Sequence, residues 1–333
     1  MRRTFFTCLM ATVALASYAQ VDLSKYLLQN HGFDQDFDYT ASQSNAVTQE
    51  IKDVKGWTAN LSANYTIVGT YEYGFKGTFN TATVPAKGYN GEAGGGLAIS
   101  TGWEQTFLFS QEVTLPAGTY TINAPTYNGS NVTAAISQLA WIPNAGTSKK
   151  STVTSYTANT WTLDKITFTL NATTKGKIQF GMKAAAGGSA NTAKLVVDYV
   201  QILGKNVAAD KSQLNATIAS ANKYYGNGNG NGAADLKAAI TAAQVIADKA
   251  DADIITIYEA TSALEEAINA YRNQNISEDN PIDKTEYILN NSFEDGTKNW
   301  TVDGFVSQSN SSFTKKEGSK YIEKWVGQGN KVG

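Results

Sequence analysis

Between residues 20 and 205 the apolar positions fall in short runs rich in Thr, Val, Ile and aromatic residues, broken by Gly, Asn and Pro. Tyr65–Val68, Thr106–Phe109, Thr119–Ile122, Ile166–Leu170, Lys177–Phe180 and Leu195–Leu203 are the clearest. Runs of this length between turn residues predict strands, and their spacing fits an antiparallel sandwich better than alternating β and α units. In the stretch from Leu115 to Tyr120, Pro116 and Gly118 suit a turn, after which Tyr120 and Ile122 share one strand face.

The period changes in residues 206–275. Leu214, Ile218, Ala221 and Tyr225 lie on one helical face, as do Leu236, Ile240, Ala243 and Ala247, and then Ile257, Ala260, Leu264, Ile268 and Tyr271. Three such narrow apolar stripes predict a small antiparallel three-helix bundle, with Asp210 and Gln213 marking its start. The alternating Gly-Asn run from Gly226 to Gly232 reads as a flexible connector, because no strand precedes it and no Lys-Ser/Thr follows as in a phosphate loop. Residues 276–285, including Pro281, form a linker, and β-like sequence resumes over residues 286–333.

That resumption is a partial repeat. Leu28 to Asp34 aligns with Ile288 to Glu294, bringing Phe33 onto Phe293 and His31 onto Asn291. Trp57 matches Trp300, and Trp103 matches Trp325. The chain reaches Gly333 before the counterpart of the Leu115–Tyr120 unit, so residues 286–333 are expected to open a second, truncated sandwich of a longer natural protein. At the other end, Met1-Arg2-Arg3, the apolar run Phe5–Ala16 and the small residues before Gln20 have the layout of a cleaved signal peptide, residues 1–19. The run is too short to span a bilayer, so a secreted, cell-surface or periplasmic protein without a transmembrane segment is expected.

Composition narrows the chemistry. Net charge is −2, which argues against a nucleic-acid partner or a polybasic membrane module. One His and one Cys leave little scope for zinc or for a His-activated nucleophile, and Cys8 lies in the segment expected to be removed. Carboxylates, oxygen-ligated metals and aromatic surfaces remain. Glu72, Glu92, Glu104 and Glu112 could pair as glycosidase acids on paper, but nothing in the sequence fixes their geometry.

The Asn-x-x-Phe-Asp motif ending at Asp34, the Gly56-Trp57-Thr58 step, the Gln111–Tyr120 run and the closing Val196–Leu203 run resemble galactose-binding-like jelly-roll modules. Such modules serve as carbohydrate-binding units on secreted bacterial glycan-degrading proteins. The helical segment is similar to FIVAR-type three-helix spacers. The resemblance implies a multidomain, mainly β chain: an antiparallel jelly-roll β-sandwich (20–205), a three-helix spacer (206–275) and the start of a second sandwich. It further implies non-catalytic binding of a polysaccharide or glycan, targeting or displaying a partner, with a catalytic domain in cis possible. The alternatives are the amino-terminal accessory region of a glycoside hydrolase, and an architectural or adhesin-like surface protein that binds no sugar.

Sugars stack their C–H faces on aromatic rings while amides and carboxylates grip hydroxyls. Phe33, Trp57 and Trp103 have repeat counterparts and read as core, and Trp161 opens a strand and reads as structural. Between Trp57 and Trp103 the first module carries extra sequence in which Tyr71, Tyr73 and Phe75 alternate, giving either a ligand platform or a local core. Trp141, just before a turn, is a second ligand candidate. Asp198 interrupts the apolar run of Val196, Val200 and Ile202 and needs a partner, since burying it unpaired is costly. In the resembling modules an acid of the last strand and one near the amino terminus often hold a structural Ca²⁺, which here points to Asp34 and Asp198, with Asp36 in reserve.

Overall fold

A computed structural model describes residues 20–34, 36–44, 54–61, 67–79, 82–101, 106–129, 135–184, 193–276, 306–308 and 321–323. The expected signal peptide, Trp103, Phe293, Trp300 and Trp325 lie outside the described residues. So does nearly all of the expected second sandwich, of which only the hairpin strands Val306–Gln308 and Tyr321–Glu323 are described.

In chain order the elements are β1 (Val21–Asp22), α1 (Ser24–Leu27), β2 (Thr58–Leu61), β3 (Ile67–Glu72), β4 (Thr78–Phe79), β5 (Ala82–Thr83), β6 (Gly95–Thr101) and β7 (Thr106–Leu115). They continue with β8 (Gly118–Asn128), β9 (Ala135–Ser137), β10 (Ala140–Pro143), β11 (Lys149–Lys150), β12 (Trp161–Leu170), β13 (Thr174–Ala184), β14 (Ala193–Val197) and β15 (Gln201–Lys205). The helices α2 (Ser212–Tyr225), α3 (Ala233–Asp248) and α4 (Ile254–Gln274) follow.

The strands form a mainly antiparallel sandwich. One sheet of seven strands is centred on β8, which pairs with β12 on one edge and with β15 and β14 on the other. β14 then pairs with β6, and β6 with β3, whereas β15 pairs with β1. The second sheet, of six strands, runs β11-β10-β13-β7-β2, with β9 also on β13. Alternation fixes what each strand buries. Tyr120, Ile122 and Ala124 of β8 point into the common core, as do Phe107 and Phe109 of β7 and Ile178, Phe180 and Met182 of β13. Phe33 and Trp57 pack there against Phe180, with ring centroids 5.6 Å and 4.9 Å away. The β7–β8 turn has the expected chemistry, and the buried Tyr120 hydroxyl returns to the Pro116 carbonyl at 2.8 Å.

Two differences from the sequence reading matter. The long closing run is broken at Asp198–Val200 into β14 and β15. The Tyr71–Phe79 segment builds a second core on the outer face of the seven-stranded sheet, with Tyr71, Tyr73, Phe75, Phe79 and Val84 packed on Ala98 and Val196.

Each helix buries the stripe its period sets: Leu214, Ile218 and Ala221; Leu236, Ile240 and Ala243; Ile257, Leu264, Ile268 and Tyr271. Asp210 accepts from the Ser212 N–H and Asp253 from the Thr256 N–H, which satisfies donors that the helices leave unpaired. In the Gly-Asn connector Gly226, Gly228 and Gly232 take left-handed φ, and the Asn275 side chain bonds both backbone groups of Asn231. None of the helices among the described residues is long and apolar enough to cross a membrane.

One buried carboxylate belongs to the scaffold. Asp164, on the core side of β12, accepts hydrogen bonds from the Ser137, Ser151 and Tyr156 hydroxyls and so ties the 137–156 segment to the sheet. Burial pushes its carboxyl above the ordinary value of 3.8, and the three hydroxyls only partly offset this. The folded chain thus holds this proton more tightly than the unfolded chain. Its contribution to stability is complete below about 3.8 and is lost as pH rises through the raised value. Asp164→Asn should therefore destabilise by about 1–3 kcal/mol in acid, with the gap to wild type narrowing as pH rises towards neutrality. Thermal melts from pH 3.5 to 7 check this, and parallel curves for the two proteins would contradict it.

Candidate functional site

The closing strand lends its two halves to different neighbours, and a site opens where they part. Val197 faces Thr126 of β8 and Gln201 faces Asn123, so Asp198, Tyr199 and Val200 stand against only Ala124 and Pro125. That one-residue excess is a bulge. It lets Val200 return to the core while Asp198 stays on the outer face. Because β6 leaves on one side of the bulge and β1 on the other, a gap of about 280 Å³ remains between them. Asp22, Asp34, Glu92, Asp198, Tyr199 and Gln201 are among the residues that line it. A second cavity of about 510 Å³, lined in part by Asp34, Asp36, Asp38 and Lys55, adjoins it across the turn at His31, Gly32 and Asp34. The Val200 N–H donates to the His31 carbonyl at 2.8 Å, fastening this turn to the bulge. Within the loop, Asn30, Phe33 and Asp36 all take positive φ, a conformation that costs non-glycine residues energy and needs a well-packed surround.

The carboxylates in the gap are not equivalent. Burial alone would raise Asp22, but the Ser24 hydroxyl, the Ser24 N–H and the Gln201 amide donate to it and bring it below the usual carboxylate range. Asp198 is raised, first by burial, and further by the negative charges of Glu92 and Asp34. Tyr199 is pushed up to about 12 by burial and by the surrounding acids, so it stays a neutral hydrogen-bonding phenol at neutral pH.

Beside the gap, the outer faces of β8 and β12 carry a hydroxyl and amide ladder. Thr119 pairs with Thr169 at 3.0 Å and Thr121 with Thr167 at 3.2 Å. The Asn123 amide donates to Gln201, which donates in turn to Asp22, at 2.9 and 2.8 Å. Asn123 is only 8% exposed, and its Oδ1 has no partner among the described residues. The ladder ends in rings. Trp161 of β12 lies opposite Tyr127 of β8, with centroids 5.4 Å apart, and Tyr73 and Tyr89 meet it edge-on at 6.2 and 6.3 Å. Trp161, Tyr127 and Tyr89 remain partly exposed. Partly exposed rings beside hydroxyls, amides and carboxylates are the combination that holds a sugar.

The ring residues singled out from sequence lie elsewhere. Tyr71 and Tyr73 do share a face, as alternation requires, but they are 0% and 7% exposed because the segment folds over its own rings. Tyr71 stacks on Tyr39 at 4.6 Å. Trp141 is 2% exposed: register with Ile178 turns it inward, and it stacks on Phe168 at 5.5 Å and 4°. None of the three offers a ring face to solvent, and the local-core alternative describes Tyr71 and Tyr73. Asp34 and Asp198 do share one gap. Both Asp198 oxygens accept from protein donors, Oδ1 from the Tyr73 hydroxyl and Oδ2 from the Tyr89 N–H. Oxygen donors suit calcium. Among the described residues, however, no three His, Cys, Asp or Glu side chains converge as a metal-ligand group.

No protein-family model and no curated protein matches the chain. Among solved structures, the chain is similar to the carbohydrate-binding module TmCBM61 in complex with β-1,4-galactotriose, at 18% identity and a TM-score of 0.33, over 45% of this chain and 90% of that one. The CBM22-1 xylan-binding domain from Paenibacillus barcinonensis Xyn10C matches at 13% identity and a TM-score of 0.35, over 57% and 98% of the two chains. The family 11 carbohydrate-binding module from Clostridium thermocellum, in complex with a mixed-linked tetrasaccharide, matches at 14% and 0.28, over 48% and 96%.

Burial separates scaffold rings from surface rings in a measurable way. Trp141→Ala and Tyr71→Ala should each cost about 3–5 kcal/mol of stability, as emptied core sites do. Trp161→Ala should cost about 1 kcal/mol or less beyond its edge contacts. Denaturant melts decide this, and a Trp161→Ala loss equal to that of Trp141→Ala would place Trp161 in the core.

Proposed function

We propose that this is an exported, modular, non-catalytic carbohydrate-binding protein that grips a glycan on the outer face of the seven-stranded sheet. The observation that carries the reading is the partly exposed ring group of Trp161, Tyr127 and Tyr89 at the end of the Thr, Asn and Gln ladder. Trp161 would take the C–H face of a sugar, while Asn123 and Gln201 would meet hydroxyls. In the adjoining gap, Tyr199, Glu92 and Asp34 would accept or donate to further units. The role is targeting or display rather than bond cleavage. The organisation proposed with it is a signal peptide (1–19), a jelly-roll module (20–205), a FIVAR-like three-helix spacer (206–275), a linker (276–285) and a second sandwich beginning at 286.

Affinity electrophoresis of the full chain in gels containing β-1,4-galactan, xylan or mixed-linkage β-glucan tests this. At least one polysaccharide should retard the wild type, and Trp161→Ala should weaken that retention by about 30-fold, the effect of losing a central aromatic anchor worth about 2 kcal/mol. Absence of retardation across a broad panel would instead support an architectural surface protein.

A structural calcium ion would sit between the amino-terminal loop and the closing strand, with Asp34 and Asp198 supplying carboxylate oxygens and backbone carbonyls the remainder. It would offset the like charges that Asp34 and Glu92 present to Asp198. Calcium should then raise the melting midpoint relative to excess EDTA by several degrees, as ligands that bind only the folded state do. Identical midpoints would remove the ion from the reading.

A further inference from the structure

We propose that Asp198 is a positioning residue that assembles the ring group around Trp161, by holding Tyr73 and Tyr89 with one carboxylate. The functional consequence rests on the glycan-binding reading above; the latch itself does not.

Asp198 takes two donors from different places in the fold. Its two oxygens receive one hydrogen bond each, from the Tyr73 hydroxyl and from the Tyr89 backbone N–H at 2.8 Å. Those donors lie in separate parts of the segment that follows β3. Tyr73 directly follows the strand, and Tyr89 sits in the turn closed by Gly88 N–H to Glu92 O and Gly91 N–H to Gly88 O. Both residues then place their rings against Trp161, edge-on. Tyr127, the third ring beside Trp161, needs no such help, because it is fixed in the β8–β12 ladder. One carboxylate thus sets the two rings that the sheet itself does not set.

The backbone is cut to fit this approach. A Cβ on Gly88 would stand 3.0 Å from both Asp198 oxygens and 3.2 Å from the Tyr73 ring. On Gly96 it would stand 2.8 Å from the Tyr73 hydroxyl and 2.8 Å from the Val197 carbonyl. The contacts at Gly96 are shorter than real side chains make, and those at Gly88 would require the carboxylate to give by a few tenths of an ångström, so both glycines ease the path by which the segment reaches the carboxylate. The bulge completes the arrangement, since it lets Val200 turn inward only two residues after an outward Asp198.

Charge-assisted bonds from a buried carboxylate are among the stronger ones available, and rigid preparation of rings cuts the ordering cost of binding. Asp198→Asn keeps one acceptor oxygen and loses the other, and Tyr73→Phe removes one donor while keeping its ring. Hydrogen exchange of the Tyr89 amide should be about tenfold faster in Asp198→Asn than in wild type, through local opening of the 88–92 turn. Trp161 emission, isolated by subtracting the Trp161→Phe protein, should shift to the red in both variants. Retention by whichever polysaccharide retards the wild type should fall about tenfold in Asp198→Asn, while the melt remains cooperative.

An Asp198→Asn protein that folds with unchanged Tyr89 exchange overturns the latch. If that variant does not fold, Tyr73→Phe decides: an unshifted Trp161 emission overturns the proposal, and a shifted one supports it. Should EDTA alone speed Tyr89 exchange in the wild type as much as Asp198→Asn does, an ion and not the carboxylate is the fastening. A wild type that binds no polysaccharide sinks the glycan reading, yet the exchange and emission results still decide the latch.

Discussion

A strand that serves one neighbour along its first half and another along its second has to lose register between them. Here the strand is the closing one, the neighbours are β6 and β1, and the loss is one extra residue at Asp198–Val200. The gap in the outer face follows from that extra residue. It opens the gap between β6 and β1, and gives the His31 turn a free N–H to dock on. Just before it, ordinary alternation from the outward Val196 sets the Asp198 carboxylate on the outer face. A regular strand would have closed the gap and left a flat sheet. Bulges recur beside functional sites because they re-aim side chains without unravelling the ladder.

The bulge brings polar groups into partial burial, and the structure meets that cost locally. Asp22, Asp164 and Asp198 are each surrounded by hydroxyl, amide or backbone donors, and none takes a Lys or Arg partner among the described ion pairs. Donors of that kind stabilise a carboxylate without the long-range field of a cation. They have opposite outcomes at two ends of one gap. Asp22 has enough donors to lie below the ordinary range, and Asp198, with two donors and two acidic neighbours, lies above it. A chain with a single cysteine cannot form an internal disulfide, so packing and these polar ties carry its stability.

Much of this was legible in the sequence. Four of the six apolar runs fall whole on strands, Tyr65–Val68 does so over its described residues Ile67 and Val68, and Leu195–Leu203 is split between β14 and β15, while most positions of the three helical stripes are buried. Local period records these because burial of one face is what selects it. The shared face of Tyr71, Tyr73 and Phe75 was legible too, but what covers that face was not. Covering depends on a segment folding back over distant strands, and no local pattern encodes that. Trp161 could have been found. Ile166 and Phe168 face the core, so strict alternation sends Trp161 to the opposite face, as it does Tyr127 counted from Tyr120 and Ile122. Trp141 lies buried for the converse reason: nearness to a turn says nothing about which way a strand residue points, and register with Ile178 turns it inward.

The extra aromatic sequence between Trp57 and Trp103 therefore matters in a different way from a simple platform. Rings at 0% exposure cannot stack on a sugar, but they can hold a covering segment rigid against β6 and β14. That segment shields one end of the outer face and stops at Trp161. It delivers Tyr89 to the boundary between the shielded end and the open Thr, Asn and Gln ladder. The surface proposed for a sugar would need rings that are fixed and also partly bare, two demands that compete, since packing that fixes a ring usually buries it. Dividing the labour resolves the conflict: Tyr71, Phe75 and Phe79 supply the packing, Asp198 supplies the anchor, and Trp161, Tyr127 and Tyr89 keep an open side.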